Sequence, residues 1–190
     1  MILGRKEILR RIEEGQLVSN LVSRTQIQQA GVDLTVGKVY ELVGEGALDF
    51  DNSKRVICSY SEKKAKESFW DIGPGVYHCA MNEWIKIPPD LCGLLLPRSS
   101  ALACGIHIHS ALWDPGYSGR SFIHTHATRK VRIFRNARIA QMVFLPVLGE
   151  AAAYAGAYLG EDVFSLGRRG TQEKLEGWDS SAKPATGTGC

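Results

Sequence analysis

The stretch from Gly105 to Thr128 holds most of the residues in this chain whose types and spacing could do chemistry. One carboxylate, Asp114, opens the turn "DPGYSG", and a His-x-His pair lies on either side of that turn. A carboxylate on a rigid turn can act as a general base toward water. Several imidazoles that converge from paired strands are instead typical ligands of a transition metal. The sequence therefore offers two kinds of site at one turn.

The histidines form two pairs, His107 with His109 and His124 with His126, because residues i and i+2 of a strand share a face. All four imidazoles could approach one another if the two strands pair across the turn. No carboxylate or thiol recurs at ligand spacing nearby, however, and a half-exposed strand carries polar residues on one face anyway. We therefore favour a polar face, exposed or between subunits, over a metal held by the protein.

Other polar residues occur where a β domain would bury apolar side chains or turn. Asp33 lies inside the apolar run "AGVDLTVG", Gln141 lies inside "ARIAQMVF", and Arg98, Ser99 and Ser100 follow the run "LLLP". An arginine fork beside hydroxyls and backbone N–H groups can surround phosphate oxygens. The alternatives are a surface arginine beside two turn serines and, at Asp-Pro-Gly, an ordinary turn.

The elements that must position these residues are mainly short strands. Residues 5–17, "RKEILRRIEEGQL", repeat apolar side chains at helical spacing and include Gly15 as a stop, which predicts one short amphipathic helix. From about Gln29 onward, short apolar or alternating runs are separated by turn residues, a pattern typical of an antiparallel sandwich or barrel. The charged stretch 60–70 lacks a period, and we interpret it as a solvated loop.

Length and composition favour one domain. The chain has 190 residues, 44% of them hydrophobic, which is enough for one sizeable core. After about Gly160 the composition shifts to Gly, Ser, Thr and charge, so we predict a single β domain over 1–160 and a flexible C-terminal arm over 161–190. A formal net charge of +3 is too small for a nucleic-acid binder but fits a locally basic pocket for a phosphorylated small molecule.

The remaining sequence signals narrow the compartment and the class of protein. The five cysteines form no C-x-x-C pair, and the N-terminal residues resemble neither a signal core nor a spanning segment. We therefore expect a reduced, cytoplasmic protein without a membrane or nucleic-acid partner. The G-x-x-x-x-G-K-[ST] loop and the G-x-S-x-G turn do not occur in the sequence, which argues against the common nucleotide and hydrolase folds.

Four short motifs, taken in order, resemble the deoxyuridine triphosphatase and deoxycytidine triphosphate deaminase superfamily. "AGVDL" with Asp33 is similar to the first motif, A-G-x-D-L, and "RSSAL" from Arg98 is similar to the second, R-S-[SG]-x-A. "WDPGYSG" with Asp114 and Tyr117 is similar to the third, [IV]-D-x-x-[YF]-x-G, and "RIAQM" with Gln141 is similar to the fourth, R-[IA]-A-Q-[LM]. The resemblance implies a mainly β, distorted jelly-roll domain that forms a homotrimer with active sites at subunit boundaries.

Two departures from the motifs favour the phosphatase branch of this superfamily. In the deaminase branch the second motif ends in another Arg, and a Glu ten residues after the motif-three Asp shuttles protons. Ala103 and His124 stand at those positions here, so the resemblance supplies no proton shuttle for removing an amine. It implies hydrolysis of dUTP to dUMP and pyrophosphate. A dCTP deaminase or bifunctional enzyme that uses His124, and a nucleotide-binding regulator without turnover, are the alternatives.

The resemblance also implies a role for each residue. Asp114 would activate the water that attacks the α-phosphorus, and Tyr117 would lie against the deoxyribose and exclude a ribose 2′-hydroxyl. Asp33 would orient its neighbours rather than react. The phosphates would be held by Arg98, Ser99, Ser100 and Gln141.

The base and the metal ion complete this expected site. Backbone groups of residues 108–113, which end at Trp113, would read uracil, and Tyr154 would line the pocket. The branch has a C-terminal arm whose aromatic ring covers the base, and "EGWDSS" with Trp178 is a loose echo of it. Mg²⁺ is expected as the cofactor, bound mainly through the substrate phosphates, which is how this ion usually binds.

Overall fold

The protein was analysed as a computed structural model that describes residues 1–165, and these residues are mainly strands. Helix α1 spans Arg5–Glu13, a 3₁₀ turn spans Arg24–Gln26, and a short helix α2 spans Ser99–Ala103. The strands are β1 (Leu17–Ser19), β2 (Val32–Val43), β3 (Ser59–Lys63), β4 (Phe69–Ile72), β5 (Gly75–Met81), β6 (Trp84–Lys86), β7 (Leu91–Pro97), β8 (Ile106–His109), β9 (Ser118–Gly119), β10 (Phe122–Ala127), β11 (Val131–Phe134) and β12 (Arg138–Pro146).

The main sheet has seven strands in the order β7-β12-β2-β5-β10-β8, with β3 paired to β2. Its end strands approach each other, because Gly93 in β7 and Trp113 after β8 exchange two backbone hydrogen bonds of 2.9 Å. Two small sheets, β1-β6-β9 and β4-β11, complete the domain. The main sheet thus closes almost into a barrel, which confirms the prediction of a mainly β sandwich or barrel with a short N-terminal helix.

The core is built of aliphatic and aromatic side chains and is shared by the strands that carry the predicted site. Leu34, Ile123, Met142 and Phe144 are fully buried, and burial of each such side chain contributes about 1.5–3 kcal/mol. Helix α1 covers one end of this core with the buried side chain of Ile8. The helix therefore docks on the barrel through its apolar face, as its spacing predicts.

The interpretation of residues 60–70 as a solvated loop is wrong, because most of them belong to β3 and the start of β4. Strand β3 lies at an edge of the sheet, where charged side chains stay in solvent and pair across the ladder. Lys63 Nζ lies 2.7 Å from Glu41 Oε1, and Lys38 Nζ lies 3.2 Å from Glu62 Oε2. The charged side chains of this stretch are therefore ordinary for an edge strand and do not indicate a loop.

The last described residues pack against the barrel. Val163 is fully buried, and the guanidinium of Arg120 lies 4.5 Å from the ring centroid of Phe164. Of the expected arm over 161–190, only residues 161–165 are described, and Trp178 lies outside the described residues. The domain boundary therefore stays a prediction. Among residues 1–165, no helix is long and apolar enough to cross a membrane.

Candidate active site

A cavity of about 310 Å³ lies beside the β8–β10 pair and holds several of the predicted site residues. Its lining includes Trp113, Asp114, Tyr117 and Tyr154. Cavities of roughly this size and larger bind small organic ligands in proteins. The structure therefore brings the carboxylate and two aromatic rings of one turn together with Tyr154, which is distant from that turn in sequence.

The turn that carries Asp114 is fixed from both sides. Its own bond joins the Tyr117 N–H to the Asp114 carbonyl at 3.1 Å, while the Gly116 N–H donates to the Ile87 carbonyl at 3.0 Å. The Tyr154 N–H donates to the Pro115 carbonyl at 2.8 Å. Gly116 has φ +82°, the left-handed conformation that this turn requires after a proline. The backbone that carries the Asp114 side chain is thus held in place by hydrogen bonds.

The three aromatic side chains form one wall of the cavity. The ring of Tyr117 meets that of Trp113 edge to face, with centroids 5.0 Å apart, and that of Tyr154 at 5.7 Å. Burial raises the pKa of the Tyr117 phenol well above its usual range, so this hydroxyl stays neutral. The wall offers an apolar surface on which a sugar or base can pack.

Residues 108–113 are the segment expected to read a base through its backbone. Part of this backbone is already hydrogen-bonded within the sheet. Both backbone groups of Trp113 are paired with Gly93, and residues 106–109 pair with β10. Leu112 lines the cavity, and within the described chain its backbone N–H and C=O have no hydrogen-bond partner. Leu112 and its neighbours Ser110 and Ala111, whose backbone N–H groups also have no partner within the described chain, therefore remain open to this role.

A second polar cluster surrounds Asp33, which is only 1% exposed. Asp33 Oδ2 lies 3.1 Å from Arg98 Nε and 3.4 Å from Arg138 Nη1, and Gln141 Nε2 donates to Asp33 Oδ1 at 3.3 Å. Burial raises the pKa of Asp33, and the two guanidinium groups oppose that rise. Asp33 therefore orients two cations and an amide, in keeping with the positioning role expected of it.

The residues expected to grip phosphate lie around this cluster. Ser99 and Ser100 are exposed on the first turn of α2, and Arg98 just before them anchors that helix through an N–H bond of 3.0 Å to the Ile139 carbonyl. A Cβ on Gly31 would lie 2.6 Å from the Met142 carbonyl oxygen, so only glycine allows β2 to begin this close to β12.

The two groups of predicted residues do not meet within one chain. Among the described residues, the cavity lining contains none of the members of the Asp33 cluster or the adjacent serines. Asp114, Trp113, Tyr117 and Tyr154 form one part of the expected site. The other part consists of Asp33, Arg98, Ser99, Ser100 and Gln141.

The histidine strands pair as the sequence allows, with His124 opposite His109 and His126 opposite His107. A fifth histidine, His78 in β5, lies opposite His124 on its other side. His78 could not be singled out from the sequence, because its position depends on the pairing of β5 with β10. Across residues 1–165, no group of three or more His, Cys, Asp or Glu side chains has the arrangement of a metal site.

Several cavity residues were not predicted. Tyr60 lies in the stretch interpreted as a loop, and Tyr158 and Glu161 follow Tyr154 in "YAGAYLGE". The tyrosine spacing in that segment was the available signal for Tyr158. Outside the cavity, Arg138 is the first residue of the run "RIAQM" and stands out there beside Gln141, but its contact with Asp33 is not apparent from that run.

Comparisons with known proteins place this site in a family context. The family model described as dCTP deaminase-like matches residues 2–147. A probable deoxyuridine 5′-triphosphate nucleotidohydrolase of Archaeoglobus fulgidus is 36% identical over 168 residues, covering 86% of this chain and 99% of that protein. The deoxyuridine 5′-triphosphate nucleotidohydrolase of Methanocaldococcus jannaschii is 39% identical over 137 residues, covering 71% and 88%.

One solved structure is similar in fold. The 2′-deoxycytidine 5′-triphosphate deaminase from Agrobacterium tumefaciens matches with a TM-score of 0.57 at 20% identity, over 75% of this chain and 47% of that chain. At this identity the likeness concerns the fold alone.

Proposed function

The chain belongs to the dCTP deaminase-like family, and we propose that it is a dUTP diphosphatase that converts dUTP to dUMP and pyrophosphate. The observation that carries the proposal is the Asp114 carboxylate, held by a hydrogen-bonded turn on the wall of a cavity with an aromatic face. The relatives named for dUTP hydrolysis support the proposal, whereas none of those cited above is named for binding without turnover.

In this reaction Asp114 acts as the general base. It accepts a proton from a water molecule while the water oxygen forms a bond to the α-phosphorus. The bond between that phosphorus and the oxygen bridging to the β-phosphorus breaks, and pyrophosphate leaves with the electron pair. A positioned general base contributes about 10²–10⁴-fold to the rate. Tyr117 packs against the deoxyribose and leaves no room for a 2′-hydroxyl.

The phosphates are bound by the cluster around Asp33, in a neighbouring subunit. Phosphate oxygens accept hydrogen bonds from Arg98, Ser99, Ser100 and Gln141. Asp33 keeps the guanidinium group of Arg98 in place. Because this cluster does not line the cavity of its own chain, the proposal includes a homotrimer with each site at a subunit boundary.

Mg²⁺ belongs to the proposal as an ion that binds mainly to the substrate phosphates and to water. The site fits such an ion, since the described cavity lining holds only two carboxylates, Asp114 and Glu161, and Mg²⁺ usually keeps several waters and binds through substrate phosphates with one or two carboxylates. When bound, it offsets negative charge on the phosphate oxygens. A cytoplasmic location is also part of the proposal, supported by the four described cysteines, all of which are free thiols.

The test is incubation of the full chain with each deoxynucleoside triphosphate and Mg²⁺, followed by separation of the products. We expect dUMP and pyrophosphate from dUTP and no ammonia from dCTP. Asp114→Asn should lower kcat by about 10²–10⁴-fold while binding of a non-hydrolysable dUTP analogue is retained. Asp90→Asn, at an exposed carboxylate paired with Arg11, is the control. Undiminished turnover by Asp114→Asn would refute the proposed base.

A further inference from the structure

Three imidazoles form a row across the sheet at the cavity. His124 in β10 lies between His78 in β5 and His109 in β8, opposite each in the strand register. His124 and His109 line the cavity, whereas His78 is only 8% exposed and lies behind His124. The row thus runs from the protein interior to the wall of the proposed substrate site.

His78 and His124 share one hydrogen bond. His124 Nδ1 lies 3.1 Å from His78 Nε2, and the two rings meet edge to face with centroids 4.4 Å apart. Burial lowers the pKa of His78 to about 4 and also lowers the pKa of His124, to which His109 adds a smaller effect. Both rings are therefore neutral near pH 7, and one ring must donate while the other accepts.

The buried surroundings of His78 decide which ring donates. Its Nδ1 is buried and, among the described residues, has no hydrogen-bond partner. If His78 carried its proton on Nδ1, an N–H donor would be buried without an acceptor, and such orphaned donors are rare in folded proteins. The proton of His78 therefore lies on Nε2 and is donated to His124 Nδ1. His124 in turn carries its own proton on Nε2.

The Nε2–H group of His124 can donate a hydrogen bond to a ligand in the cavity. No other described side chain or backbone group hydrogen-bonds to the His124 ring, and the ring lines the cavity wall. His109, which faces His124 across the ladder, is separated from Asp114 by residues 110–113. Among the described residues, no hydrogen bond or ion pair joins the imidazole row to the Asp114 carboxylate, so the two can act on different parts of one ligand in the cavity.

We propose that His124, held in its Nε2–H form by His78, donates a hydrogen bond to the C4 carbonyl oxygen of the pyrimidine base and thereby selects uracil against cytosine. Cytosine carries an amino group at C4, which would place two donors opposite each other. A site built around a directed hydrogen bond rejects the mismatched ligand because its polar group is left unpaired. This inference rests on the proposed function and adds a specificity residue to it.

The binding test uses the full chain and two non-hydrolysable analogues, dUTP and dCTP with an NH bridge between the α- and β-phosphates. Calorimetry gives the ratio of the two dissociation constants. His124→Leu removes the donor and should lower the preference for uracil by roughly tenfold. His78→Phe keeps His124 but removes the hydrogen bond that fixes its tautomer. This variant should lower the preference for uracil by a smaller factor than His124→Leu does. His126→Gln, on the same strand but outside the cavity lining, should leave the ratio unchanged.

A second measurement does not depend on these variants folding. Imidazole ¹⁵N chemical shifts of the wild-type protein report the tautomer of each histidine, and we expect His124 in the Nε2–H form. A His124 proton on Nδ1, or a wild-type uracil preference in His124→Leu, would overturn the inference while dUTP hydrolysis stands. Failure of the wild-type chain to bind the dUTP analogue would overturn both this inference and the proposed function.

Discussion

At the scale of single residues, the buried carboxylate of Asp33 holds two cations, Arg98 and Arg138, of which Arg98 belongs to the proposed phosphate grip. Asp33→Asn removes the charge and weakens the hold on Arg98 and Arg138, while its amide can still meet Gln141. We expect KM for dUTP to rise roughly tenfold, with a smaller change in kcat, because a charged hydrogen-bonding partner is worth about 1.5–3 kcal/mol. Steady-state kinetics measures both constants.

The matched control for Asp33 is Asp71→Asn. Asp71 also pairs with an arginine, Arg132 at 2.8 Å, but this arginine is about half exposed, and exposed pairs contribute little. Its kinetic constants should match those of the wild-type protein. A lowered kcat in Asp33→Asn without any rise in KM would show that Asp33 takes part in the chemical step and does not act by positioning.

His78 should make the stability of the fold depend on pH. Its pKa is lowered from 6.5 to about 4, so below pH 6.5 the unfolded chain binds a proton that the native protein does not bind until about pH 4. The free energy of unfolding therefore falls as the pH drops through this window, by up to about 3 kcal/mol, and is unaffected above it. Urea unfolding at pH 7.5 and pH 5 should show about 2 kcal/mol of this loss, because pH 5 lies inside the window.

His78→Phe supplies the comparison for this pH effect, because phenylalanine keeps an aromatic ring at the same place but cannot bind a proton. The difference in unfolding free energy between the two pH values should shrink in the variant. Apart from His124, which loses its hydrogen bond from His78 in the variant, the other ionisable groups titrate alike in both proteins, so the comparison reports the His78–His124 pair. An identical loss in wild type and variant would contradict the prediction.

At the scale of elements, Glu83 ties the 3₁₀ turn and β2 to the start of β6. Its side chain is fully buried and accepts from Gln26 Nε2 at 2.7 Å, from the Thr35 N–H at 3.0 Å and from Thr35 Oγ1 at 2.5 Å. Gln26 Nε2 also donates to the Asp33 carbonyl at 2.8 Å. The same carboxylate thus supports the strand that presents the Asp33 side chain.

Glu83→Ala should lower the free energy of unfolding by about 3 kcal/mol, because it leaves buried donors on Gln26 and Thr35 without acceptors. Denaturant titration measures the change. Glu62→Ala, which removes an exposed partner of Lys38, should change stability by no more than about 1 kcal/mol. Equal effects of the two substitutions would mean that the Glu83 network does not tie these elements together.

Strands that coincide with a mainly apolar run between turn residues were predictable from the sequence. The run 32–43 predicts β2 and the run 75–81 predicts β5, and both occur with these bounds. Residues 60–70 were misread because local charge does not distinguish a loop from an edge strand. His78 and the partners of Asp33 could not be placed, because each contact depends on the register between strands distant in sequence.

At the scale of the whole molecule, the two groups of proposed site residues lie apart within one chain, since the cavity lining contains no member of the Asp33 cluster. The four motifs predicted the residue types in each group. A local sequence motif does not tell where on the barrel its residues lie. Asp114 and the aromatic wall lie on one cavity, and Arg98 with Asp33 lies elsewhere on the same chain. The proposed homotrimer resolves this separation, since one subunit can present its cluster to the cavity of the next.

Subunit mixing tests this arrangement. Arg98→Ala and Asp114→Asn should each be nearly inactive alone, because every site in either oligomer lacks one group. When the two chains are co-expressed and assemble at random, about one site in four combines an intact Arg98 with an intact Asp114 from different chains, so roughly a quarter of wild-type activity should return. If each site were built within one chain, no mixed site would hold both groups and the activity would stay at the level of the separate variants. The chain carrying both substitutions, co-expressed with wild type, is the control for assembly, and sedimentation of the purified mixture should give the mass of three chains.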